Sequence, residues 1–218
     1  MVNATVFCPR HERLLNRKDS AAGTGERGTV LYMRLVHLAQ QILASHLQPG
    51  NVVVDATVGN GHDTAFLAQC VGEQGRVFGF DIQSTALEKT LQRLQQQCPQ
   101  VPVQLFQAGH EQMVQHIPQS YHGQVKAVVF NLGYLPGANH AVITQAQTTR
   151  LALEQSVKLL SREGIISIMV YPGHPGGAEE TNEVSQWVQT LPSDLWSCQE
   201  HCPEQRNNPP CWIFVERI

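Results

Sequence analysis

The sequence predicts an α/β fold in which a seven-stranded, mostly parallel sheet ends in a C-terminal antiparallel hairpin. Short apolar runs alternate with amphipathic helical patterns, an order typical of doubly wound parallel sheets. The last two apolar runs have no helix between them, so one of them can enter the sheet antiparallel. The length of 218 residues suits one such domain with a short appendage.

Apolar runs and the turn residues that flank them define the elements in order. Strands are predicted at residues 52–55, 76–81, 102–107, 125–130, 164–171, 196–202 and 211–217. Helices are predicted at residues 33–47, 62–70, 84–97, 148–160 and 179–191, with a short helix from Glu111. In the third helix, Ser84 is expected to be the cap, and Leu87, Leu91 and Leu94 the buried face.

Charge divides the chain into a basic arm, residues 1–32, and a domain, residues 33–218. Residues 1–34 carry a net charge of +3, so the total of −3 leaves −6 for the rest. The arm is expected to be a solvated leader or a segment that contacts phosphates. Its composition is similar to that of a transit peptide, although its three acidic residues argue against one. Because no run approaches the roughly 20 apolar residues that span a bilayer, we expect a cytoplasmic protein without a membrane partner.

The six cysteines are scattered and include no CxxC pair. We therefore expect neither a disulfide framework nor a metal site. Cys198, His201, Cys202 and Cys211 lie close in sequence, but their spacing is not that of a zinc finger or ribbon.

The stretch VVVDATVGNGHDT, residues 52–64, carries the clearest functional signal. Its β-branched run fits a central strand that ends at Asp55. Gly59 and Gly61 then let the backbone turn sharply and pass close to a ligand, just before a helix N-terminus. Such loops lie at the carboxyl edge of a parallel sheet, where ligands bind.

The chemistry of this loop favours a cationic ligand over a diphosphate. A dinucleotide loop reads GxGxxG, whereas Thr64 stands here at the third glycine position. Asp63 stands at the mouth of the helix, where its carboxylate would repel a pyrophosphate. S-adenosylmethionine carries a sulfonium and an ammonium and no phosphate. We therefore expect it to be the cofactor.

Asp81 indicates a ribose site. It ends the second predicted strand, 20 residues after Gly61, where a carboxylate can accept hydrogen bonds from both hydroxyls of a ribose. NAD sites use the same arrangement, so this residue alone does not choose the cofactor. Gln83 is expected to add a contact to the adenosine.

Three loops rich in Pro and Gly follow the later strands. They read NLGYLPG at residues 131–137, YPGHPGG at 171–177 and NNPP at 207–210. The first two must lie at the ligand-binding edge of the sheet, and the hairpin loop can reach that edge. Asn131, Tyr134, His174 and Asn207 can stack on a base or hydrogen-bond its edge, which predicts a substrate pocket.

Together these motifs resemble a bacterial family of putative rRNA methylases. The resemblance rests on DATVGNGHDT, FDIQ, GHE, FNLGYLPG, YPGHPGG and NNPP, and it runs from about residue 33 to the C-terminus. Characterised relatives are tRNA methyltransferases that act on the exocyclic amine of 5-aminomethyl-2-thiouridine at the wobble position. The resemblance implies a Rossmann-like class I methyltransferase fold, S-adenosylmethionine as cofactor, the anticodon region of tRNA as partner, and a homodimer.

The resemblance also implies a role for each motif. The methionine end of the cofactor would contact Asn60, Gly61 and Asp63, above the loop formed by Asp55 and Gly59. The ribose would contact Asp81 and Gln83, and the adenosine Gly109, His110 and Glu111. The methyl group and the target amine would border Asn131, Leu132, Gly133 and Tyr134. Asp63, Asn131 and Tyr134 are the expected catalytic residues, and His174 is an alternative base.

Two other functions stay open at this point. A methyltransferase for ribosomal RNA or a small amine would use the same motifs. A nucleotide-binding module without chemistry would keep Asp81 and the glycines but would not need the loops of Asn131 and His174. For an RNA enzyme with an acidic body, a basic patch would have to come from Arg150, Lys158, Arg162 and Arg206.

Overall fold

The computed structural model describes residues 24–133, 143–203 and 208–218, and it describes side chains from Leu35 onward. The predictions made for Tyr134, Arg206, Asn207 and residues 1–23 lie outside the described residues. The division of the chain near residue 32 stays a prediction.

The described residues alternate between strands and helices as the sequence predicts. The strands are β1 (Val52–Asp55), β2 (Arg76–Asp81), β3 (Val103–Gln107), β4 (Val125–Asn131), β5 (Leu160–Val170), β6 (Trp196–His201) and β7 (Cys211–Arg217). The helices are α1 (Thr24–His46), α2 (His62–Val71), α3 (Ser84–Gln97), α4 (Met113–His116), α5 (Ala146–Leu159) and α6 (Gly177–Gln189). Single 3₁₀ turns cover His110–Gln112 and Gln119–Tyr121.

The strand order is β3-β2-β1-β4-β5-β7-β6. Strands β1 to β5 pair in parallel, and β7 runs antiparallel to both of its neighbours, β5 and β6. The predicted C-terminal hairpin is therefore confirmed. The order reverses between β1 and β4, so the crevice beyond their carboxyl ends is the expected ligand site of such a sheet.

Helices cover both faces of the sheet, and the sheet divides the core into two layers. On one face, α1, α2 and α3 pack residues such as Leu43, Leu67 and Leu94 against the sheet. On the other face, α4, α5 and α6 contribute residues such as Met113 and Trp187. Burial on both sides explains why the central strands are continuous apolar runs instead of alternating patterns.

Two element boundaries differ from the prediction by more than two residues. Helix α1 begins at Thr24 instead of residue 33, and β5 begins at Leu160 instead of residue 164. The extra part of β5 contains a register shift against β4 and the positive φ of Glu163, +56°. A polar, irregular segment of this kind has no apolar run, so the hydrophobic pattern does not find it.

Helix α3 also differs in its buried face. Its buried side chains are Ala86, Thr90 and Leu94, whereas Leu91 is exposed. The N-cap is the residue before Ser84, and no side chain caps the helix. The predicted cap and the predicted burial of Leu91 are therefore wrong. On the buried face, Thr90, whose hydroxyl contacts the glycine loop, takes the place of a leucine.

Although the sequence predicts no disulfide framework, the described residues contain a disulfide between Cys202 and Cys211. The antiparallel register of β6 and β7 places these residues as the next cross-strand pair after His201 and Trp212, with their Cα atoms 4.5 Å apart. Among the described residues, no group of three or more His, Cys, Asp or Glu is placed to hold a metal. In the same part of the chain, no helix has the length and apolar character needed to cross a bilayer.

Candidate active site

The loop between β1 and α2 turns on its glycines. Gly59 and Gly61 have φ angles of +53° and +76°, a region that favours glycine. A Cβ at Gly61 would lie 2.5 Å from the Thr90 hydroxyl, which is hydrogen-bonded to the Gly59 carbonyl at 3.2 Å. Both conformation and space therefore require the glycine at position 61.

Asp55 lies beneath this loop and not on its surface. Its side chain is 1% exposed, and its two oxygens accept hydrogen bonds from Thr57 N at 3.1 Å and Thr64 Oγ1 at 2.6 Å. Burial, with a smaller effect of the nearby Asp63 carboxylate, raises the pKa of Asp55 to about 7. In this position Asp55 shapes the loop and has no surface for direct contact with a ligand.

Asp81 joins the tips of β1 and β2. Its Oδ2 accepts a hydrogen bond from Gly59 N at 2.8 Å, and its Oδ1 accepts one from Gln83 N at 2.9 Å. A further backbone hydrogen bond comes from Ile82, so three of the roughly four lone-pair sites of the carboxylate are used. Partial burial raises the pKa of Asp81, against the effect of its backbone hydrogen bonds. The group is thus fixed in place and keeps acceptor capacity for a ribose hydroxyl.

A chain of polar side chains crosses the crevice from α2 to β5. Asn131 Nδ2 donates to Asp63 Oδ2 at 3.0 Å, and the Tyr171 hydroxyl donates to Asn131 Oδ1 at 2.7 Å. Gln40, on α1, donates to the other Asp63 oxygen at 3.3 Å. Asp63 therefore turns towards the crevice, although it lies in the first turn of α2 and no side chain caps that helix.

A backbone contact ties the glycine loop to the end of β4. Asn131 N donates to Thr57 Oγ1 at 2.7 Å. Thr57, two residues after Asp55, thus uses its hydroxyl to hold the strand that carries Asn131. This contact fixes the distance between the predicted cofactor loop and the predicted substrate loop.

A buried carboxylate stabilises the start of the loop after β4. Thr144 Oγ1 donates to Glu180 Oε2 at 2.8 Å, and Thr149 Oγ1 donates to Glu180 Oε1 at 2.6 Å. The same Thr144 oxygen accepts a hydrogen bond from Gly133 N at 2.7 Å. Glu180 is 2% exposed, and burial raises its pKa. The hydroxyl of Thr144 is therefore oriented by Glu180 and in turn holds the backbone at Gly133.

Glu180, Thr144 and Gly133 thus form a hydrogen-bonded clasp, and His174 lies beside it. Its Nδ1 donates to the carbonyl of Pro175 at 2.9 Å, which assigns the proton of the neutral ring to Nδ1. A Cβ at Gly133 would lie 3.4 Å from Nε2 of His174, and a Cβ at Gly177 would collide with the Tyr171 carbonyl. Gly177 thus lets the loop after β5 fold tightly against its own start, and Gly133 lies beside the His174 ring.

The opposite side of the crevice carries the GHE motif. His110 is 7% exposed, its ring lies edge-on to Phe130 at 5.8 Å, and burial lowers its pKa. The Glu111 carboxylate folds back against Gly109, where any Cβ would collide with it. Ile82, next to Asp81, leaves 56% of its side chain exposed.

The structure brings most of the predicted site residues to one edge of the sheet. Asp63, Asp81 and Asn131 line the crevice, but Leu132 is 1% exposed and belongs to the core. Leu132 can therefore border the crevice only through its backbone. Five residues with a role in this geometry were not found from the sequence: Gln40, Thr57, Tyr171, Thr144 and Glu180. Thr57 and Tyr171 stood within quoted motifs, VVVDATVGNGHDT and YPGHPGG, that could have indicated them.

Solved structures with this fold define the class of the protein. A putative rRNA-methylase from Clostridium thermocellum is 38% identical, with a TM-score of 0.78, over 84% of this chain and 97% of that one. A putative methyltransferase from Streptococcus mutans in complex with SAH (S-adenosylhomocysteine) is 33% identical, with a TM-score of 0.74 over the same shares. The chain is an S-adenosylmethionine-dependent methyltransferase.

Sequence relatives then give the family. Residues 77–216 match the family described as Putative rRNA methylase, and the chain belongs to it. The tRNA (mnm(5)s(2)U34)-methyltransferase, chloroplastic, of Arabidopsis thaliana is 37% identical over 194 residues, which cover 84% of this chain and 69% of that protein. Ribosomal RNA small subunit methyltransferase H of Koribacter versatilis is 30% identical over 111 residues, covering 47% of this chain and 35% of that protein.

Residues 1–126 also match a second family, Protein-L-isoaspartate(D-aspartate) O-methyltransferase. That match contains the glycine loop and Asp81 but ends before Asn131. The part shared with that family is therefore the half of the sheet that contains β1 to β3 and the glycine loop, the cofactor half. The polar chain through Asn131 and Tyr171 lies in the half covered only by the Putative rRNA methylase match.

The residues at this edge fit S-adenosylmethionine. The remaining acceptor capacity of Asp81 suits a ribose, and the exposed side chain of Ile82 offers an apolar surface for a purine. The Asp63 carboxylate at the N-terminus of α2 provides negative charge for a cationic ligand. No described residue opposes this fit.

Proposed function

We propose that the protein methylates the exocyclic amine of 5-aminomethyl-2-thiouridine at the wobble position of tRNA. The observation that carries the proposal is the hydrogen-bonded chain Asp63–Asn131–Tyr171, which gives an amine both a carboxylate and a carbonyl oxygen beside the cofactor loop. The Arabidopsis relative, whose name states this chemistry, supports the choice of substrate.

In this proposal the cofactor lies across the carboxyl ends of β1 and β2. Asn60, Gly61 and Asp63 border its methionine end, with Gly59 forming the turn beneath it. Asp81 accepts a hydrogen bond from the ribose, and Gln83 borders the same sugar. Asp55 acts indirectly, because its hydrogen bonds to Thr57 and Thr64 hold the loop in shape.

The adenine then lies towards the loop after β3. Ile82 covers one face of the ring, since it is the exposed apolar side chain next to the ribose acceptor. Gly109 and Glu111 border its edge, and the buried His110 supports them from below. Aromatic and aliphatic packing of this kind is typical of sites that hold a nucleobase.

The acceptor side prepares the amine. An aminomethyl group is cationic at neutral pH, so it must lose one proton before its nitrogen can attack. Asp63 attracts the ammonium, and Asn131 Oδ1, which Tyr171 keeps fixed, accepts one of its N–H groups. The released proton passes to water. After methyl transfer the nitrogen keeps its two protons, so near neutral pH the product is a secondary ammonium.

Methyl transfer itself mainly requires alignment. The bound cofactor supplies an electrophilic methyl group on a positively charged sulfur. The amine nitrogen forms its bond to the methyl carbon while the carbon–sulfur bond breaks and the electron pair stays on sulfur. Holding the nitrogen in line can supply roughly 7–11 kcal/mol of the barrier. The contact between Asn131 N and Thr57 serves this purpose, because it fixes the acceptor strand against the cofactor loop.

The modified base would occupy the loops after β4 and β5. We place Gly133, Tyr134, His174 and Asn207 around it, with the backbone of Leu132 beneath. His174 is the alternative proton acceptor, because its Nδ1 proton is used by Pro175 and its Nε2 therefore carries the lone pair of the neutral ring. A homodimer and a cytoplasmic location stay predictions.

A ribosomal RNA substrate is the second candidate. It is supported by the 30% identity to Ribosomal RNA small subunit methyltransferase H. That match covers less than half of this chain, so it weighs less than the tRNA enzyme match over 84% of the chain.

Nucleoside mass spectrometry tests the proposal in cells. Transfer RNA from cells that lack the protein should accumulate 5-aminomethyl-2-thiouridine and lose its methylated form. A plasmid copy of the wild-type gene should restore the methylated nucleoside, and a copy carrying Asp63→Asn should restore less of it. An unchanged tRNA profile, with a methyl group missing from ribosomal RNA, would overturn the tRNA assignment in favour of the second candidate.

A further inference from the structure

An open pocket of about 330 Å³ lies on the side of the glycine loop that faces α3, its outer side. Asn60 and His62 form its loop side, and α3 forms its helix side. The helix residues that line it are Lys89, Gln92, Arg93, Gln96 and Gln97. They recur at the spacing of one helical face.

The lining of this pocket consists of hydrogen-bond donors and cations. None of its seven residues is acidic, although the chain as a whole has a net charge of −3. Lys89 and Arg93 supply positive charge, and the glutamine amides supply neutral donors and acceptors. The glutamine-rich stretch of the sequence, which the cofactor site does not use, therefore forms a defined surface.

The guanidinium of Arg93 is held in a fixed orientation. Its Nε donates to the carbonyl of Asn60 at 3.0 Å, and its Nη2 contacts Nε2 of His62 at 3.2 Å. A guanidinium has five N–H donors, so three remain beyond these two contacts. A fixed, multiply donating cation of this kind is suited to a phosphate group.

The pocket lies close to the proposed site of methyl transfer. His62 lines the pocket, and the next residue, Asp63, is hydrogen-bonded to Asn131. Those basic residues considered from the sequence that the structure describes lie elsewhere. Arg150 is paired with Glu154 at 2.8 Å and Glu183 at 3.0 Å, and Arg162 is exposed near the start of β5, at the opposite edge of the sheet.

We infer that the face of α3 formed by Lys89, Gln92, Arg93, Gln96 and Gln97 binds the sugar-phosphate backbone of the RNA substrate. The inference rests on the proposed function for the class of partner. Lys89 and Arg93 neutralise phosphates, and the glutamine amides hydrogen-bond 2′-hydroxyls and phosphate oxygens. The backbone next to the target nucleotide thus passes the outer side of the glycine loop.

The salt dependence of RNA binding tests this inference. A fluorescent anticodon stem-loop RNA is titrated with protein over a range of salt concentrations. Each phosphate contact contributes about 0.7 to the slope of log K against log salt for single strands. The double variant Lys89→Gln/Arg93→Gln should therefore lower the slope by about 1.4 and weaken binding at least tenfold at low salt.

A matched variant controls for net charge. Lys158→Gln/Arg162→Gln removes the same two charges from exposed positions at the opposite edge of the sheet, and it should bind RNA as the wild type does. Because Arg93 also supports Asn60, the single variant Lys89→Gln is tested as well, and it should lower the slope by about 0.7. Wild-type slopes for the two Lys89 variants, or equal losses in the control pair, would overturn the inference.

The binding assay tests the RNA-binding face of α3 independently of the proposed function. If the wobble nucleoside is not the methylated product but the slopes change as expected, α3 binds the backbone of a different RNA substrate. If wobble methylation holds but the slopes do not change, only the assignment of this surface is wrong.

Discussion

Asn131 and Asp63, 68 residues apart in sequence, are joined by a hydrogen bond of 3.0 Å between the side-chain amide and the carboxylate. The bond connects the tip of β4 to the first turn of α2 across the point where the strand order reverses. It links the cofactor half of the sheet to the acceptor half. The proposed chemistry depends on this link, because the amine must meet the methyl group at the same place.

Removing the charge of Asp63 should therefore impair catalysis more than folding. Asp63→Asn keeps the shape of the side chain but weakens the attraction for a cationic amine and the bond to Asn131. A hydrogen bond to a charged group contributes about 1.5–3 kcal/mol, so kcat/KM for RNA should fall by roughly 10–100-fold. The melting temperature should fall by no more than a few degrees.

The exposed acid Asp194 provides a control for this variant. Asp194→Asn changes the same chemical group in a loop remote from the crevice, and both kcat/KM and melting temperature should stay at wild-type values. If Asp63→Asn lowered stability and activity in parallel, Asp63 would be a structural residue and the proposed attraction would be wrong.

Asp81 should determine cofactor affinity. Asp81→Ala removes the acceptor for the ribose and leaves the N–H groups of Gly59 and Gln83 without their carboxylate. We expect the affinity for S-adenosylhomocysteine, measured by titration calorimetry, to fall at least 100-fold, equivalent to roughly 3 kcal/mol. An affinity equal to that of the wild type would refute the ribose assignment.

Asp55 should make folding stability depend on pH between about 4 and about 7. The unfolded chain ionises this carboxyl near 3.8, whereas the folded protein keeps its proton until about pH 7. The folded state therefore binds more protons in this window, and stability falls as the pH rises through it. Below pH 4 the contribution is fully present, and above pH 7 it is lost.

The variant Asp55→Asn separates this effect from the titration of other groups, because it retains a neutral side chain of the same shape. Melting temperatures of wild type and variant are measured at intervals across the window. The advantage of the wild type should shrink as the pH rises, since only the wild type loses this stabilisation. A difference that stays constant would show that Asp55 titrates alike in the folded and unfolded chain.

Glu180 should stabilise the substrate side of the site, and the neighbouring Glu179 offers a matched control. Glu180→Ala leaves the buried hydroxyls of Thr144 and Thr149 without their acceptor, which should cost about 2 kcal/mol or more in the free energy of unfolding. Glu179 is exposed in the same helical turn, so Glu179→Ala should change that energy by less than about 0.5 kcal/mol.

The kinetic effect of Glu180→Ala should be confined to the RNA substrate that accepts the methyl group. Without its clasp, Gly133 is held less firmly, so KM for RNA should rise while the affinity for S-adenosylhomocysteine stays within about twofold. Equal losses in RNA and cofactor binding would indicate a general disruption of the fold instead of a local clasp.

The cofactor half of this protein is readable from its sequence because local patterns determine it. The Val52–Val54 run, the two glycines and Asp81 lie within one strand–helix–strand unit, so their spacing alone places them at one edge. The hairpin is equally local, since only the missing helix between β6 and β7 has to be noticed.

The acceptor half depends on contacts between distant parts of the chain. Glu180 lies on α6 and looks like an ordinary first-turn acid, and only the packing of α5 beside α6 shows that it receives two threonine hydroxyls. Thr90 lies on the helical face that the periodicity buries, but a threonine gives no apolar signal there, and its role against Gly59 emerges only once the loop is folded over α3. Such pairings have no sequence signature.

The most direct test of the central claim is methyl transfer in a purified system. The protein is incubated with isotopically labelled S-adenosylmethionine and tRNA from cells that lack it, and the digested nucleosides are resolved by mass spectrometry. We expect the label on the aminomethyl nitrogen of the wobble 2-thiouridine, and none with Asp81→Ala protein. Label recovered in another nucleoside, or only in added ribosomal RNA, would contradict the account.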